Sequence, residues 1–322
     1  MSRGRALVLG ALGLAACVPA RPAPALAPVV VHAPPPAASP PPAPVARPTQ
    51  LLTRGEAEQF GLALVNEDRA RAGAPPLTWD ATAAAAAERH VRDMARGGFT
   101  AHSGTDGSVP EQRYTEANGE DLVTENAACY GDGRARDASV EGPFDPAAIE
   151  AFQRAFMAET APMDGHKRNI LQARHTGLGL AFATAPGSKI VCVAQEFVDD
   201  YGAYEPLPVR AKLGAIVRVA GEVRGPARFG GVGVADAPWP APRTPAELLK
   251  TGSYSMPSPR ISYFPRGFKT PRPVAVEGAR FSIDLALDGE PGLREIQVFA
   301  RFPGDADATL RAVSIRTILV ER

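Results

Sequence analysis

The chain has 322 residues and balances 35 Lys and Arg against 35 Asp and Glu, which leaves a formal net charge of zero. This balance argues against a nucleic-acid partner, because polyanions select strongly basic surfaces. The length is sufficient for a sizeable core and for about two domains.

The N-terminus has the features of a secretory signal. Two arginines precede an apolar stretch over residues 6–16, which is too short to span a bilayer. The stretch ends in Leu-Ala-Ala followed by Cys17, which resembles the lipid-attachment box of bacterial lipoproteins, and Val18 resembles outer-membrane sorting in Gram-negative cells. We therefore expect a signal peptide over residues 1–16 and lipidation of Cys17, which implies an envelope protein held at the membrane by its lipid. An ordinary cleaved signal peptide with an incidental cysteine, and hence a secreted protein, is the alternative.

Residues 17–50 are rich in proline. Twelve of the thirty residues from 19 to 48 are proline, and such a segment favours extended polyproline II and buries little apolar surface. We predict a disordered tether that connects the lipid anchor to the folded part of the chain.

The predicted compartment indicates how the cysteines are paired. Lipidation of Cys17 would leave Cys129 and Cys192 as a pair in an oxidising environment. A bridge between them closes a loop of about sixty residues and is worth on the order of 4 kcal/mol in the chain-entropy model. Two buried free thiols are the alternative.

The folded part is expected to begin with two helices. Thr53 with Glu56 three residues later forms a capping-box pattern, and apolar residues then recur at helical spacing until Gly73. Asp80 is the expected N-cap of a second, alanine-rich helix that ends at a Gly-Gly pair.

Residues 98–143 are rich in glycine and polar side chains and are expected to form a long loop. Asp145 and Pro146 then start a third helix, and a short fourth helix follows. The apolar runs in TGLGLAFATAPGSKIVCVAQEFV predict two strands joined as a hairpin.

The last third of the chain changes character. Short alternating or β-branched runs, separated by turn residues, predict an antiparallel β-sandwich or barrel, with one short helix in PRTPAELLKTG. This part contains no His and no Cys. The predicted fold class is α+β, with a first folded domain over residues 51–204 and a β-rich domain of unknown role over residues 205–322.

Four residues of the first folded domain carry side chains suited to binding a ligand or a metal. His102 lies in FTAHSG, Glu125 in VTENA, Glu159 in FMAET and His166 in GHKRNIL. In this order, after LVNEDRARAGAPPLTWD and before TGLGLAF and AQEFV, the motifs resemble the CAP superfamily in its bacterial form. That superfamily comprises the cysteine-rich secretory, antigen 5 and pathogenesis-related-1 proteins, whose shared unit is also called the SCP domain.

The resemblance implies an α-β-α sandwich in which these four residues line a central cleft. There are two departures from the family pattern. Thr124 stands where the family has the glycine of a Gly-Glu-Asn box, and the spacing between Glu159 and His166 is the short bacterial one. Glu120 is a rival for the role of Glu125. Each of the four could instead be a hydrogen-bonded residue that ties loops together, which is the commoner role of an isolated histidine.

Imidazoles and carboxylates bind Zn²⁺ and also act as general acids and bases. We expect His102 and His166 to hold a divalent metal such as Zn²⁺ if one is present. Because the resemblance implies sterol, fatty-acid or protein-partner binding, the first hypothesis is a cleft that binds a lipid, an envelope component or a protein. The alternative is a metal-dependent hydrolase, peptidase-like or nuclease-like, in which Glu125 or Glu159 acts as general base. No residue is assigned a catalytic role.

The remaining histidines of this domain are expected to lie outside the site. His90 is expected to be solvated or half-buried on its helix, and His175 to follow the short helix near its last turn. Tyr114 and Asn126 are expected as neighbours of the cleft.

Overall fold

The computed structural model describes residues 45–187, 191–251, 253–306 and 309–322. The predicted signal peptide, Cys17 and most of the predicted tether lie outside the described residues. The helices and strands, in chain order, are α1 (Arg54–Arg71), β1 (Thr78–Trp79), α2 (Ala81–Gly97), α3 (Pro110–Glu116), β2 (Leu122–Cys129), α4 (Pro146–Met157), α5 (Gly165–Leu171), β3 (Gly177–Thr184), β4 (Val191–Asp199), β5 (Gly202–Tyr204), β6 (Arg210–Lys212), β7 (Ile216–Val223), β8 (Arg228–Ala237), α6 (Pro245–Leu248), β9 (Ile261–Tyr263), β10 (Ala275–Glu277), β11 (Arg280–Ala286), β12 (Gly292–Arg301) and β13 (Arg311–Glu321).

The long helices begin at the predicted caps. The Glu56 carboxylate accepts a hydrogen bond from the backbone N–H of Thr53 at 2.8 Å, which closes the capping box of α1. Asp80 caps α2, and this helix ends at Gly98, whose φ of 64° lies in the left-handed region that favours glycine. Asp145 caps α4. These three predictions are confirmed. Helix caps can be predicted from sequence because they depend on neighbouring residues alone.

A four-stranded sheet in the order β1-β3-β4-β2 forms the centre of the N-terminal part. The predicted hairpin of β3 and β4 is confirmed, and β2 pairs with β4 in the antiparallel direction as the edge strand. The prediction of one long loop over residues 98–143 is wrong, because α3 and β2 both lie within it. Helix α3 consists largely of polar residues, and β2 has three consecutive polar residues near its centre, which hid the periodicity of both.

Helices cover both faces of this sheet. Leu178, Leu180 and Phe182 of β3 pack with α1 and α4 in one apolar cluster. The alternating residues Ala181 and Ala183 pack with α2 in another. The sheet thus lies between two layers of helices, and its edge strand β2 is left with one free edge.

The predicted disulfide is confirmed. Cys129 and Cys192 are bridged, and they lie directly opposite each other in the register of β2 and β4. The bridge therefore fastens the edge strand to the centre of the sheet at one end of β2.

The C-terminal part contains two further sheets, in the orders β10-β11-β7-β5 and β6-β13-β12-β8-β9. Their pairings are antiparallel except that β6 runs parallel to β13. Apolar residues of both sheets form one buried cluster. The mixture of helices and antiparallel sheets confirms the α+β class. Within the described ranges, every helix is too short or too polar to cross a bilayer.

The two parts of the chain are in contact through α6. Leu248 of α6 is fully buried among α2 residues, including Val91 and Met94, together with Phe99. A helix that follows the first β strands of the C-terminal part thus completes the core of the N-terminal part.

Candidate functional site

The four predicted site residues lie around a single cleft of about 690 Å³ beside the edge strand β2. His102 comes from the loop after α2, Glu125 from the middle of β2, Glu159 from the loop after α4, and His166 from the first turn of α5. The fold therefore brings together residues that are up to 64 positions apart in the sequence. Apolar side chains contribute much of the rest of the lining, namely Ala101, Pro110, Val123, Ala127, Pro162, Met163 and Met256.

His102 and Glu125 form the first of two imidazole–carboxylate pairs. The Nδ1 atom of His102 lies 2.8 Å from Oε1 of Glu125. An ionised carboxylate only accepts hydrogen bonds, so Nδ1 carries the proton and donates it. In the neutral ring, Nε2 then presents a lone pair. The side chain of His102 is 22% exposed and that of Glu125 only 1%, so the imidazole reaches the cleft and the carboxylate lies behind it.

Arg113 of α3 holds this pair from behind. Its Nη2 donates to Oε2 of Glu125 at 2.7 Å, and its Nη1 donates to the backbone carbonyl oxygen of His102 at 3.0 Å. One buried guanidinium therefore fixes both the carboxylate and the loop that carries the imidazole. No sequence pattern pointed to Arg113, because its role depends on the packing of α3 against β2.

The groups around Glu125 favour the ionised form of its carboxyl group. Burial alone would raise its pKa, but His90, Arg113 and the hydrogen bond from His102 outweigh burial and hold the pKa well below its ordinary value. His90 is fully buried, and its Nε2 donates to the carbonyl oxygen of Ala101 at 2.7 Å. Burial, reinforced by the charge of Arg113, lowers the pKa of His90 to about 4. The expectation that His90 is solvated or half-buried is therefore wrong, because its helix turns this side chain toward β2.

A second carboxyl group lies beside Glu125. Glu196 of β4 is fully buried and is the direct cross-strand partner of Glu125. Burial and the neighbouring Glu125 charge raise its pKa well above the ordinary value. No sequence pattern singled out Glu196, although it lies within AQEFV.

Glu159 and His166 form the second pair. The Nδ1 atom of His166 is hydrogen-bonded to Oε1 of Glu159, while Oε2 accepts from the backbone N–H of His166 at 3.0 Å. Phe156 stacks on the imidazole with ring centroids 4.5 Å apart. Glu159 therefore both caps α5 and orients His166, whose side chain is 30% exposed. As in the first pair, Nε2 of the neutral ring is left with a lone pair.

Two asparagines connect the two halves of the site. The side-chain amide of Asn126 donates to the backbone carbonyl of His166 at 3.1 Å, and that of Asn169 donates to Oδ1 of Asn126 at 3.1 Å. The Asn169 amide also lies 3.3 Å from the backbone oxygen of Glu125 on the free edge of β2. The expectation that Asn126 borders the cleft agrees with this position.

Three other residues considered from the sequence lie elsewhere. Tyr114 is buried between α2 and the sheet. The Glu120 carboxylate accepts from the backbone N–H of Tyr204, so the rival to Glu125 faces the C-terminal part of the chain. His175 is buried outside the cleft lining, and its Nδ1 bonds to Asp199 at 2.5 Å.

The donor set allows a specific form of metal binding. Each imidazole is anchored at Nδ1 by a carboxylate, which is the arrangement that orients metal-bound histidines through Nε2. The glutamates are occupied by these contacts. Across the described ranges, three or more His, Cys, Asp and Glu side chains never form a cluster able to hold an ion. The two imidazoles are therefore the side chains of the cleft that could bind an ion.

Part of the chain is similar to a known protein family. Residues 62–197 match the profile of the cysteine-rich secretory protein family, CAP. The match confirms the resemblance to this family within these residues. Among curated protein sequences, none matches the chain significantly.

Two solved structures are similar to parts of the chain. An extracellular protein containing a SCP domain from Bacillus anthracis strain Ames is 24% identical, with a TM-score of 0.34, over 45% of this chain and 41% of that one. A chitin binding domain from Burkholderia pseudomallei is 11% identical, with a TM-score of 0.23, over 36% of this chain and 57% of that one. The chain thus spans less than two thirds of either structure, and at these TM-scores neither similarity bears on function.

Proposed function

We propose that the protein is a membrane-tethered envelope protein whose cleft binds a ligand through His102 and His166. The observation that carries the proposal is the convergence of two imidazoles on one cleft, each oriented at Nδ1 by its own glutamate. Orienting an imidazole in this way fixes Nε2 toward the cleft, where it can meet a polar group of a ligand.

The lining indicates an amphipathic ligand. Met163 in the cleft lining is 81% exposed, and Met256, which also lines the cleft, is 39% exposed. Exposed methionines are flexible apolar contacts that adapt to ligand shape. A polar group at the imidazoles and an apolar portion against the methionines together describe a lipid or an apolar envelope component. A protein segment with an apolar anchor has the same chemistry.

A divalent ion is a possible second occupant under this proposal. His102 and His166 would hold it through Nε2, with Glu125 and Glu159 fixing the two rings. Such an ion would supply a Lewis-acid centre for the polar group of the ligand.

The hydrolase alternative has weaker support at Glu125. A general base is most effective when its pKa lies near the working pH, whereas the pKa of Glu125 is held well below its ordinary value. Glu159 is more accessible, but its oxygens are engaged by His166 and the start of α5. We assign both glutamates a positioning role.

Titration with anilinonaphthalene sulfonate, a fluorescent amphipathic anion, tests the proposed cleft. We expect saturable binding to the wild-type protein, loss of binding in the double variant His102→Ala/His166→Ala, and weaker binding in Met163→Ser. Ile216→Ser is the matched control, because Ile216 is similarly exposed, at 74%, but lies on β7 outside the cleft. Equal binding by the wild type and the double variant would place the ligand site elsewhere.

Calorimetric titration with zinc chloride tests the ion separately. One zinc ion per chain in the wild type, and none in His102→Ala/His166→Ala, is the expected result if the imidazoles hold a metal. Zinc binding that survives in the double variant would remove these residues as its ligands.

The tether and the domain division are part of the same proposal. We infer lipidation at Cys17 and location at the outer membrane from the sequence, a CAP domain over residues 51–204, and a β-sandwich over residues 205–322. The shared apolar cluster of the two C-terminal sheets supports the sandwich. Cell fractionation of Cys17→Ser checks the anchor: release from the membrane fraction is expected, and retention would contradict it.

A further inference from the structure

A short segment of the C-terminal part forms one wall of the cleft. This rim segment, defined as residues 251 and 253–256, contributes Thr251, Ser253, Tyr254 and Met256 to the lining. The rest of the lining comes from residues 100–169. The cleft is therefore built by two parts of the chain, and nothing in the residues of the CAP motifs accounts for this wall.

The rim segment is fastened at both ends. Before it, Leu248 is fully buried in the core of the N-terminal part, and the Thr251 hydroxyl donates to the Leu248 carbonyl at 2.7 Å. After it, the side-chain amide of Gln297 on β12 donates to the backbone carbonyl of Pro257 at 2.9 Å. These contacts set the position of the segment across the cleft.

Tyr254 provides a third attachment, in the middle of the segment. Its hydroxyl donates to the Oε1 atom of Glu111 on α3. Glu111 lies beside Glu295 of β12, whose pKa is raised to about 9 by burial and by the charge of Glu111. A proton retained on Glu295 removes the repulsion between the two carboxyl groups, so Glu111 stays in place as the acceptor for Tyr254.

The anchored ring lies next to one of the two imidazoles. The ring centroids of Tyr254 and His102 are 6.4 Å apart and the planes are tilted by 45°. The polar end of the phenol is bound to Glu111, so its apolar face is the part available to the cleft. Partly buried tyrosines act as amphipathic anchors in this way, with one end polar and the ring apolar.

We propose that Tyr254 is the specificity-determining residue of the cleft, because its ring covers one side of His102 and sets which ligands reach that imidazole. The proposal rests on the ligand-binding function proposed above. The ligand class that fits is an amphipathic molecule whose apolar portion packs on the Tyr254 ring while its polar group meets His102. Such a ligand contacts both parts of the chain at once.

Acylation of histidines by diethyl pyrocarbonate, read by peptide mass spectrometry on the full chain, tests the position of the ring without any ligand. His166 is the internal reference, because it lines the same cleft. The fully buried His90 reports unfolding, because it reacts only when the fold opens. The variants are Tyr254→Phe, Tyr254→Ala and the control Tyr130→Ala, whose side chain is exposed outside the cleft.

We expect the ratio of His102 to His166 acylation to rise roughly fivefold in Tyr254→Phe, the population shift expected from losing one hydrogen bond. Tyr254→Ala should raise it at least as far, and Tyr130→Ala should leave it unchanged. An unchanged ratio in Tyr254→Ala would overturn the proposal. If acylation of His90 shows that Tyr254→Ala unfolds, an unchanged ratio in Tyr254→Phe would overturn it instead.

Binding of anilinonaphthalene sulfonate distinguishes this proposal from the function on which it rests. Weaker binding to Tyr254→Ala, together with a raised acylation ratio, supports contact between the ring and the apolar part of the probe. A Tyr254→Ala protein that binds the probe as tightly as the wild type would overturn the role in specificity. Failure of the wild type to bind the probe would count against the proposed function, while the acylation ratio would still decide whether Tyr254 covers His102.

Discussion

Arg113→Met is the variant that most directly tests the electrostatic design of the site. Arg113 is buried and donates to Glu125, to the His102 carbonyl and to the Ser108 carbonyl. Methionine retains most of the buried volume and removes the charge. Glu125 is then left as a buried carboxylate with His102 as its main remaining partner. Breaking a buried ion pair in this manner costs about 3–5 kcal/mol of folding free energy.

The cost should depend on pH with a definite sign. In the wild type the depressed pKa of Glu125 contributes stability above its unfolded value of 4.5, and this contribution is lost as the pH falls. Without Arg113, burial dominates and raises the pKa of Glu125, so its contribution is present at low pH and lost as the pH rises. The difference in stability between wild type and variant should therefore be smallest at the acid end of the measurable range and should grow as the pH rises toward neutral.

Urea denaturation of four proteins measures these terms: wild type, Arg113→Met, Glu125→Gln and the double variant. The double variant should lose less free energy of unfolding than the two single variants lose in sum, because it no longer contains a buried carboxylate without a partner. Arg154→Met is the control, since its ion pair with Glu150 lies at the surface and contributes little. A pH-independent loss, or strict additivity in the double variant, would refute the assignment of Arg113 as the partner that keeps Glu125 ionised.

Three further outcomes follow from the packing. Asp121 retains a proton in the fold, since burial and the charges of nearby aspartates raise its pKa to about 8. Its stabilising contribution is complete below pH 3.8 and is lost as the pH approaches 8, so Asp121→Asn should remove this part of the pH dependence in denaturation measured across that window. Cys129→Ser/Cys192→Ser should lower the free energy of unfolding by about 4 kcal/mol, with the same loss on reduction of the wild type; a loss well below 1 kcal/mol would contradict it. Gly179→Ala should cost about 3 kcal/mol, because its Cβ would lie 2.0 Å from the α2 backbone, whereas Gly55→Ala meets no atom within 4 Å and should cost nothing in thermal unfolding.

The predicted elements that proved correct share one property: their signal is local. The capping box of Thr53 and Glu56, the Asp80 cap and the apolar runs of the β3–β4 hairpin each depend on a few neighbouring residues. The tertiary structure retains all of these elements. The short β runs of the C-terminal part were predictable for the same reason, although the order of their strands was not.

The two elements that were missed border the site. Strand β2 carries Thr124, Glu125 and Asn126 at its centre, so it lacks the alternation that marks a half-buried strand. Helix α3 buries Glu111 and Arg113 in place of apolar side chains. Glu111, Arg113 and Glu125 are tolerated there because each forms hydrogen bonds with side chains from other elements. Local rules failed where the side chains are used for positioning rather than for the apolar core.

The site itself shows the same division between local and tertiary information. The four cleft residues could be selected only because their motifs occur in a family order, since each motif alone is weak. Arg113 and Tyr254 belong to no such motif, and only their contacts in the structure reveal them. Arg113 bonds to Glu125, 12 positions away, and Tyr254 bonds to Glu111, 143 positions away. Residues that belong to motifs shared within a family, such as the four proposed to bind a ligand, can thus be located from sequence. Residues that position those side chains, or that are proposed to select the ligand, are distributed over the rest of the fold. In this protein they include Tyr254, on the wall of the cleft that the C-terminal part supplies.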